Sequence, residues 1–192
     1  MSFDKRRALQ NALLYTQQGK WDRAIAEYQA IRKAEPADLS VCNNLGDLFA
    51  RAGRPAEAIE QYRTLGESYR TDGLSVKAIA VYKKIAKLDP AWTDAYLACG
   101  ELYLEQGLVG EAKLQFATAA QLFAKAGETG KVVEIYQRLV QLDPTNLSLL
   151  TKLADLLARQ GAPGAAAEYE RAARLAEAAG QLPEAQRLLR KA

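Results

Sequence analysis

Few of the 192 residues could take part in covalent chemistry. The chain has no histidine, which removes the commonest general base and the commonest metal ligand together. Cys42 and Cys99 fall on the apolar side of equivalent helices but at different slots, a pattern of neither a disulfide framework nor a metal site. No glycine-rich phosphate loop is present. Carboxylate pairs such as Asp47 with Glu57 lie on surfaces that the periodicity of the chain accounts for. Nucleophile, base and oxyanion donor cannot be assembled from what remains. No hydrolase or transferase activity and no cofactor are therefore expected. The chemistry left to this chain is recognition, carried by charged and amide side chains such as Asp47, Glu101 and Asp155, which recur in one phase.

That phase is set by a repeat. Pro90 lies 54 residues after Pro36 and 54 before Pro144. Laying 37–90 over 91–144 needs no gap: Gly46 falls on Gly100, Phe49 on Tyr103, Ala58 on Ala112, Tyr62 on Phe116 and Tyr82 on Tyr136. A third copy from Thr145 loses one residue in the Gly161–Gly164 turn, and residues 1–36 fit the last two-thirds of a unit. Gly19, Gly53, Gly73, Gly107, Gly127, Gly161 and Gly180 are spaced 34, 20, 34, 20, 34 and 19 apart, where helices should end in left-handed turns. A fixed period of this size is the signature of a helical repeat array.

The elements follow. Apolar spacing and turn glycines predict eleven helices, at 4–17, 21–34, 39–52, 56–71, 75–88, 93–106, 109–126, 129–142, 147–160, 163–179 and 182–191. Helix 56–71 serves two hairpins at once, because no break separates its halves. Asp38, Thr93 and Asn146 follow the unit-ending prolines as N-caps. Small residues pair across the hairpins: Ala12–Ala24, Gly46–Ala58, Gly66–Ala78, Gly100–Ala112, Ala154–Ala165 and Ala173–Ala185, with Ala120–Val132 bulkier. These slots let two backbones approach closely. All the tyrosines and phenylalanines except Phe3 and Tyr96 occupy two repeat slots, which places them in the core. No window has the period-two pattern of a strand. The expected architecture is all-α, a right-handed helical-repeat solenoid of about eleven antiparallel helices, forming one domain over 1–192 with units 1–36, 37–90, 91–144 and 145–192.

The residues Leu45-Gly46, Phe49, Gly53, Ala58, Tyr62, and again Leu65-Gly66, Tyr69, Gly73, Ala78, Tyr82, Pro90, resemble the tetratricopeptide repeat. The 54-residue unit with its shared helix is similar to an arrangement found in some bacterial members. The resemblance implies a superhelical groove that binds peptides or proteins. The slots lining that groove hold Asn43, Asn44, Asp47 and Arg51 in helix 39–52, and Leu97, Glu101 and Glu105 in helix 93–106. In helix 147–160 they hold Thr151, Lys152, Asp155 and Arg159. This row is either a binding stripe or a solvated polar face. The family's clamp for a terminal carboxylate is missing: Asn44 matches one position, but Leu9 and Leu13 stand where Lys and Asn are wanted. Trp92, at a slot that is polar in the other units, is either a partner contact or a cap over helix 75–88. With three helices per unit, equivalent helices of successive units point opposite ways, so the wall cannot be copied from a regular two-helix array.

Charge narrows the partner. The net +3 divides into +3, +1, −3 and +2 over the four units, a mixed surface that argues against nucleic acid. The acidic third unit suggests a partner with a basic segment. No stretch has the ~20 apolar residues of a membrane span, and the charged start MSFDKRRALQ carries no apolar signal core. A cytoplasmic interaction scaffold is the expectation, with a helical-repeat nucleic-acid binder or a self-assembling structural repeat as alternatives. The last helix, with Leu182, Leu188 and Leu189, is expected to leave apolar surface uncovered, which implies a longer array or self-association.

Overall fold

A computed structural model describes residues 3–192. Among them are eleven α-helices and no strand. They are α1 (Lys5–Gln17), α2 (Trp21–Ala34), α3 (Ser40–Arg51), α4 (Pro55–Thr71), α5 (Ser75–Leu88) and α6 (Thr93–Glu105), then α7 (Val109–Lys125), α8 (Thr129–Leu142), α9 (Leu147–Arg159), α10 (Ala165–Ala178) and α11 (Leu182–Leu189). The expected spans agree to within two residues at every end. The chain groups into two compact units, one ending at Gly107 and the other Leu108–Ala192.

Local chemistry explains the breaks. Helix α3 ends in a Schellman turn: the Arg54 N–H donates to Phe49 C=O at 2.9 Å and the Gly53 N–H to Ala50 C=O at 3.2 Å. This geometry needs φ near +73° at Gly53, a left-handed backbone that a side chain would strain. Pro55 then opens α4 at a position where its missing N–H costs nothing. At Asn146 the expected cap forms, its side chain accepting from the Leu149 N–H at 3.2 Å. The other two expected caps do not. Leu39 and Trp92 are the N-caps of α3 and α6. Asp38 instead takes the Ser40 N–H and the Lys5 ammonium, and Thr93 is already helical, its hydroxyl turned to the Ala91 carbonyl. Helix α10 begins two residues late because Gly164 takes φ +100° as its N-cap.

In the first unit α4 is continuous over 17 residues and packs against both α3 and α5, so it closes two hairpins. In the second, α10 does the same between α9 and α11. The core of each unit is the apolar stripe of its helices. Leu45, Phe49, Tyr62, Leu65 and Tyr82 are buried in the first; Phe116, Leu150, Leu153, Tyr169 and Leu188 in the second. Leu188 is fully buried whereas Leu182 and Leu189 are 61% and 48% exposed, so only the latter two supply the uncovered surface expected of α11. Ala165, at the first turn of α10, is half-buried, while Ala154, its expected counterpart, is fully buried.

The small slots work differently from a backbone contact. A Cβ placed on Gly46 would meet the Tyr62 ring, with Cδ1 at 2.7 Å and Cζ at 2.8 Å. At Gly66 it would meet the Tyr82 ring, Cζ at 3.0 Å and the next atoms at 3.3 Å. Each glycine thus makes room for an aromatic face from the following helix.

The two glycines should therefore respond differently to alanine. Any helical Gly→Ala change gains up to ~1 kcal/mol of propensity, set against about 1–3 kcal/mol for overpacking. Gly46→Ala should be net destabilising and Gly66→Ala close to neutral, while Tyr82→Ala should cost about 3–5 kcal/mol. Denaturant melts that rank the two glycine variants equally would contradict this packing.

Candidate functional site

The polar face of α3 is built upward from the Tyr62 ring. The ring is buried on Gly46, and its hydroxyl donates to Asp47, the next residue of α3. Lys84, from α5, donates to the same carboxylate at 2.7 Å and to the Asn43 side chain at 2.9 Å. Its ammonium also lies 5.0 Å above the Tyr62 ring. Burial first, and the carboxylate second, push the Tyr62 phenol well above its ordinary value.

The second unit repeats the arrangement. Tyr169 donates to Asp155 at 2.5 Å, and Lys191 donates to Asp155 at 2.8 Å while lying 5.3 Å over the Tyr169 ring. Arg138 lies 4.5 Å over Phe116 in the same unit. In all three cases the cation comes 22 residues after the ring. Tyr82 has only the acid: its hydroxyl donates to Glu67 at 2.7 Å, and the residue 22 further on is Leu104.

Asp47 and Asp155, two of the three carboxylates sharing a phase, are therefore each engaged by a tyrosine and a lysine of the chain itself, while staying partly exposed. Asn43 is likewise engaged, by Lys84. Asn44, Arg51, Lys152 and Arg159 are exposed. Arg51 lies 5.8 Å over the Trp21 ring but forms no ion pair. Glu105 is exposed and accepts from the Ser75 hydroxyl at 3.3 Å. The periodic cations could not be read from the repeat alignment, because alignment compares one column at a time and this pairing links two.

Three clefts gather the expected site residues. One of about 220 Å³ lies on α1 and α3, with Leu13, Tyr28, Asn44, Asp47, Leu48 and Arg51 in its walls. A second, about 290 Å³, joins α4 to α6 and contains Glu67, Arg70, Trp92, Asp94, Leu97 and Glu101. Trp92 is half-buried there and packs on the core as well, so it both lines the cleft and covers apolar surface beneath it. The third, about 1010 Å³, is open between α9 and the start of α11 and takes in Thr151, Lys152, Asp155 and Arg187. No group of three or more metal-ligating side chains occurs among the described residues. No described helix is long and apolar enough to cross a membrane.

Comparison with known proteins meets this geometry at the N-terminal hairpins. Residues 9–72 match the family model described as tetratricopeptide repeat. These hairpins carry tetratricopeptide repeat sequence. Over 107 residues it is 29% identical to BBSome complex member BBS4 of Bos taurus, a match covering 49% of this chain and 21% of that relative. The chain thus spans about a fifth of the curated relative's length. Among solved structures, a tetratricopeptide repeat protein of Parabacteroides merdae is 18% identical, with 97% of this chain and 98% of that chain covered at a TM-score of 0.32. BtubC of P. vanneervenii is 15% identical, with 97% and 86% covered at 0.47.

The Asp155 cluster makes a pH prediction. Its carboxyl is held below the ordinary value of 3.8, chiefly by the Lys191 hydrogen bond and then by Tyr169. Stability from a depressed carboxyl is present above its unfolded pKa and lost as pH falls through the folded one. Acidification below about pH 4 should therefore destabilise the parent more steeply than Asp155→Asn, which is weaker at neutral pH but lacks this titration. Lys191 is raised by the same pairing, so its share fades only above the ordinary 10.5. Parallel denaturant midpoints for parent and variant across the acid range would count against the cluster.

Proposed function

We propose that this tetratricopeptide repeat protein is a non-catalytic cytoplasmic scaffold that holds a segment of another protein in its helix-lined clefts. The observation carrying this reading is the α4–α6 cleft. It combines a half-exposed aromatic, Trp92, with an apolar wall at Leu97 and charged groups at its edges. Large amphipathic side chains beside polar rims are what protein recognition sites use. The family supports a protein partner; the 54-residue unit with a shared helix is read as the bacterial form of the array.

A basic stretch in the partner belongs to this proposal, at this cleft. Asp47 and Asp155 are neutralised internally, but Glu67 forms no ion pair and Asp94 and Glu105 are exposed. Residues 91–144 carry the only net negative unit of the chain, at −3. Charge reversal at Glu101 and Glu105 should weaken binding of a partner captured from the source lysate about tenfold or more. Unaltered affinity with an intact fold would remove both residues from the site.

A second reading is favoured by α11. Leu182 and Leu189 are exposed one heptad apart, so they share a face. Pairing of two chains through this face would cover it. Light scattering over a wide concentration range should then show a dimer that Leu189→Glu dissociates; a strict monomer throughout would end this reading. Leu188 is unsuitable for the test because it is fully buried.

A further inference from the structure

The α1–α3 cleft differs from the others in what its charges are already doing. Its one carboxylate, Asp47, is occupied by Lys84 and Tyr62. Its one cation, Arg51, is exposed, makes no ion pair and stands one turn from Asp47 on the same helix. Asn44 is exposed too, with neither its amide donors nor its oxygen engaged by protein. Across the cleft, α1 presents Leu13, 59% exposed, with Leu9 at 37% one turn before it. Arg6 lies two turns before Leu13 on the same helical face, exposed and without an ion pair. Tyr28 and Leu48 close the floor.

Over the cleft and the α1 face that continues it, the Asp47–Lys84 pair cancels, and Arg51 in the cleft and Arg6 beyond its edge remain, flanking an apolar strip. We propose that this cleft docks an acidic, leucine-bearing segment of a partner protein, with carboxylates of the segment meeting Arg51 and Arg6 and its apolar side chains resting on Leu9, Leu13 and Leu48. This rests on the scaffold reading above and extends it, since the docked segment is opposite in charge to that at the α4–α6 cleft. Several features select the occupant. An unpaired guanidinium offers a planar fork that matches a carboxylate in two parallel hydrogen bonds. The exposed leucines require an apolar counterpart, which a phosphate backbone lacks. One cation in the cleft and one beyond its edge are also far short of the row of phosphate contacts that nucleic-acid affinity is built on.

The probe is a fluorescein-labelled peptide of about twelve residues, ~40 Å when extended, alternating Leu with Asp and Glu. Three competitors accompany it: a version with Lys for every acid, one with Ser for every Leu, and a single-stranded oligonucleotide of equal charge. Anisotropy should show that the acidic leucine peptide binds. Arg51→Glu and Leu13→Asp should each weaken it about tenfold without shifting the thermal melt, and Arg174→Glu, at an exposed position of α10 in the other unit, should leave it unchanged. Binding should fall as salt rises, and neither the Ser peptide nor the oligonucleotide should compete. The assignment is overturned if Arg51→Glu changes affinity by less than about twofold, or if the oligonucleotide or the Ser peptide competes equally. Binding of the Lys peptide in place of the acidic one overturns it and leaves the scaffold reading standing. If no peptide binds and lysate capture yields no partner either, both readings fall.

Discussion

A tyrosine ring laid on a glycine, with a carboxylate beside it, is the contact on which the rest of the first unit depends. Tyr62 on Gly46 and Tyr82 on Gly66 set the spacing between consecutive helices, because nothing larger than hydrogen fits under the first ring without moving it. Placing the ring there buries a phenol, and a buried hydroxyl left without an acceptor costs about 1–3 kcal/mol. The residue following the glycine, Asp47 or Glu67, is in the position to accept it. Packing therefore dictates an acid at this slot before any ligand is considered.

An acid placed for packing reasons next needs its own charge balanced where solvent is partly excluded. Lys84 does this from α5 and Lys191 from the turn after α11, and each ammonium also covers the ring that its carboxylate accepts from. One long side chain thereby ties together helices that are not neighbours in sequence. The consequence for function is a change of sign. A row of aligned carboxylates reads as an acidic stripe, but two of its members are spent, and the charge left over on α3 is that of Arg51.

Much of the fold was legible because its determinants are local or strictly periodic. A Gly after seven of the helices, Pro at the unit boundaries and a two-slot aromatic pattern were enough to place eleven helices to within two residues. The failures have equally local causes. Trp92 is an N-cap although it has no side-chain acceptor, since Thr93 one residue on has already entered the helix. Leu188 and Leu189 exchange roles relative to the alignment: Leu189 stands at the slot of Tyr82, yet Leu188 is the one buried, and the glycine under that ring is replaced by Ala173. The candidate site was harder. Residue types and their phase were visible, but whether a charge is free depends on a partner 37 or 36 positions away, as for Asp47 with Lys84 and Asp155 with Lys191.

The shared helix explains why the clefts are not equivalent. A unit of 54 residues contains two ring-on-small-residue contacts, following turn glycines spaced alternately 34 and 20 apart. The cation 22 residues after the ring exists only for the first kind, at Tyr62, Phe116 and Tyr169; after Tyr82 that position is Leu104. Glu67 consequently accepts from a phenol but has no ion-pair partner, and it faces the α4–α6 cleft beside Trp92. In a regular two-helix array every cleft would inherit the same charge state. Here α4 carries Tyr62, which meets the Asp47 carboxylate of α3 that Lys84 pairs, and one turn further on Glu67, which forms no ion pair. The alternation of charge along the first unit thus follows from the length of the repeat, and a partner that reads it must carry charges of both signs in a matching order.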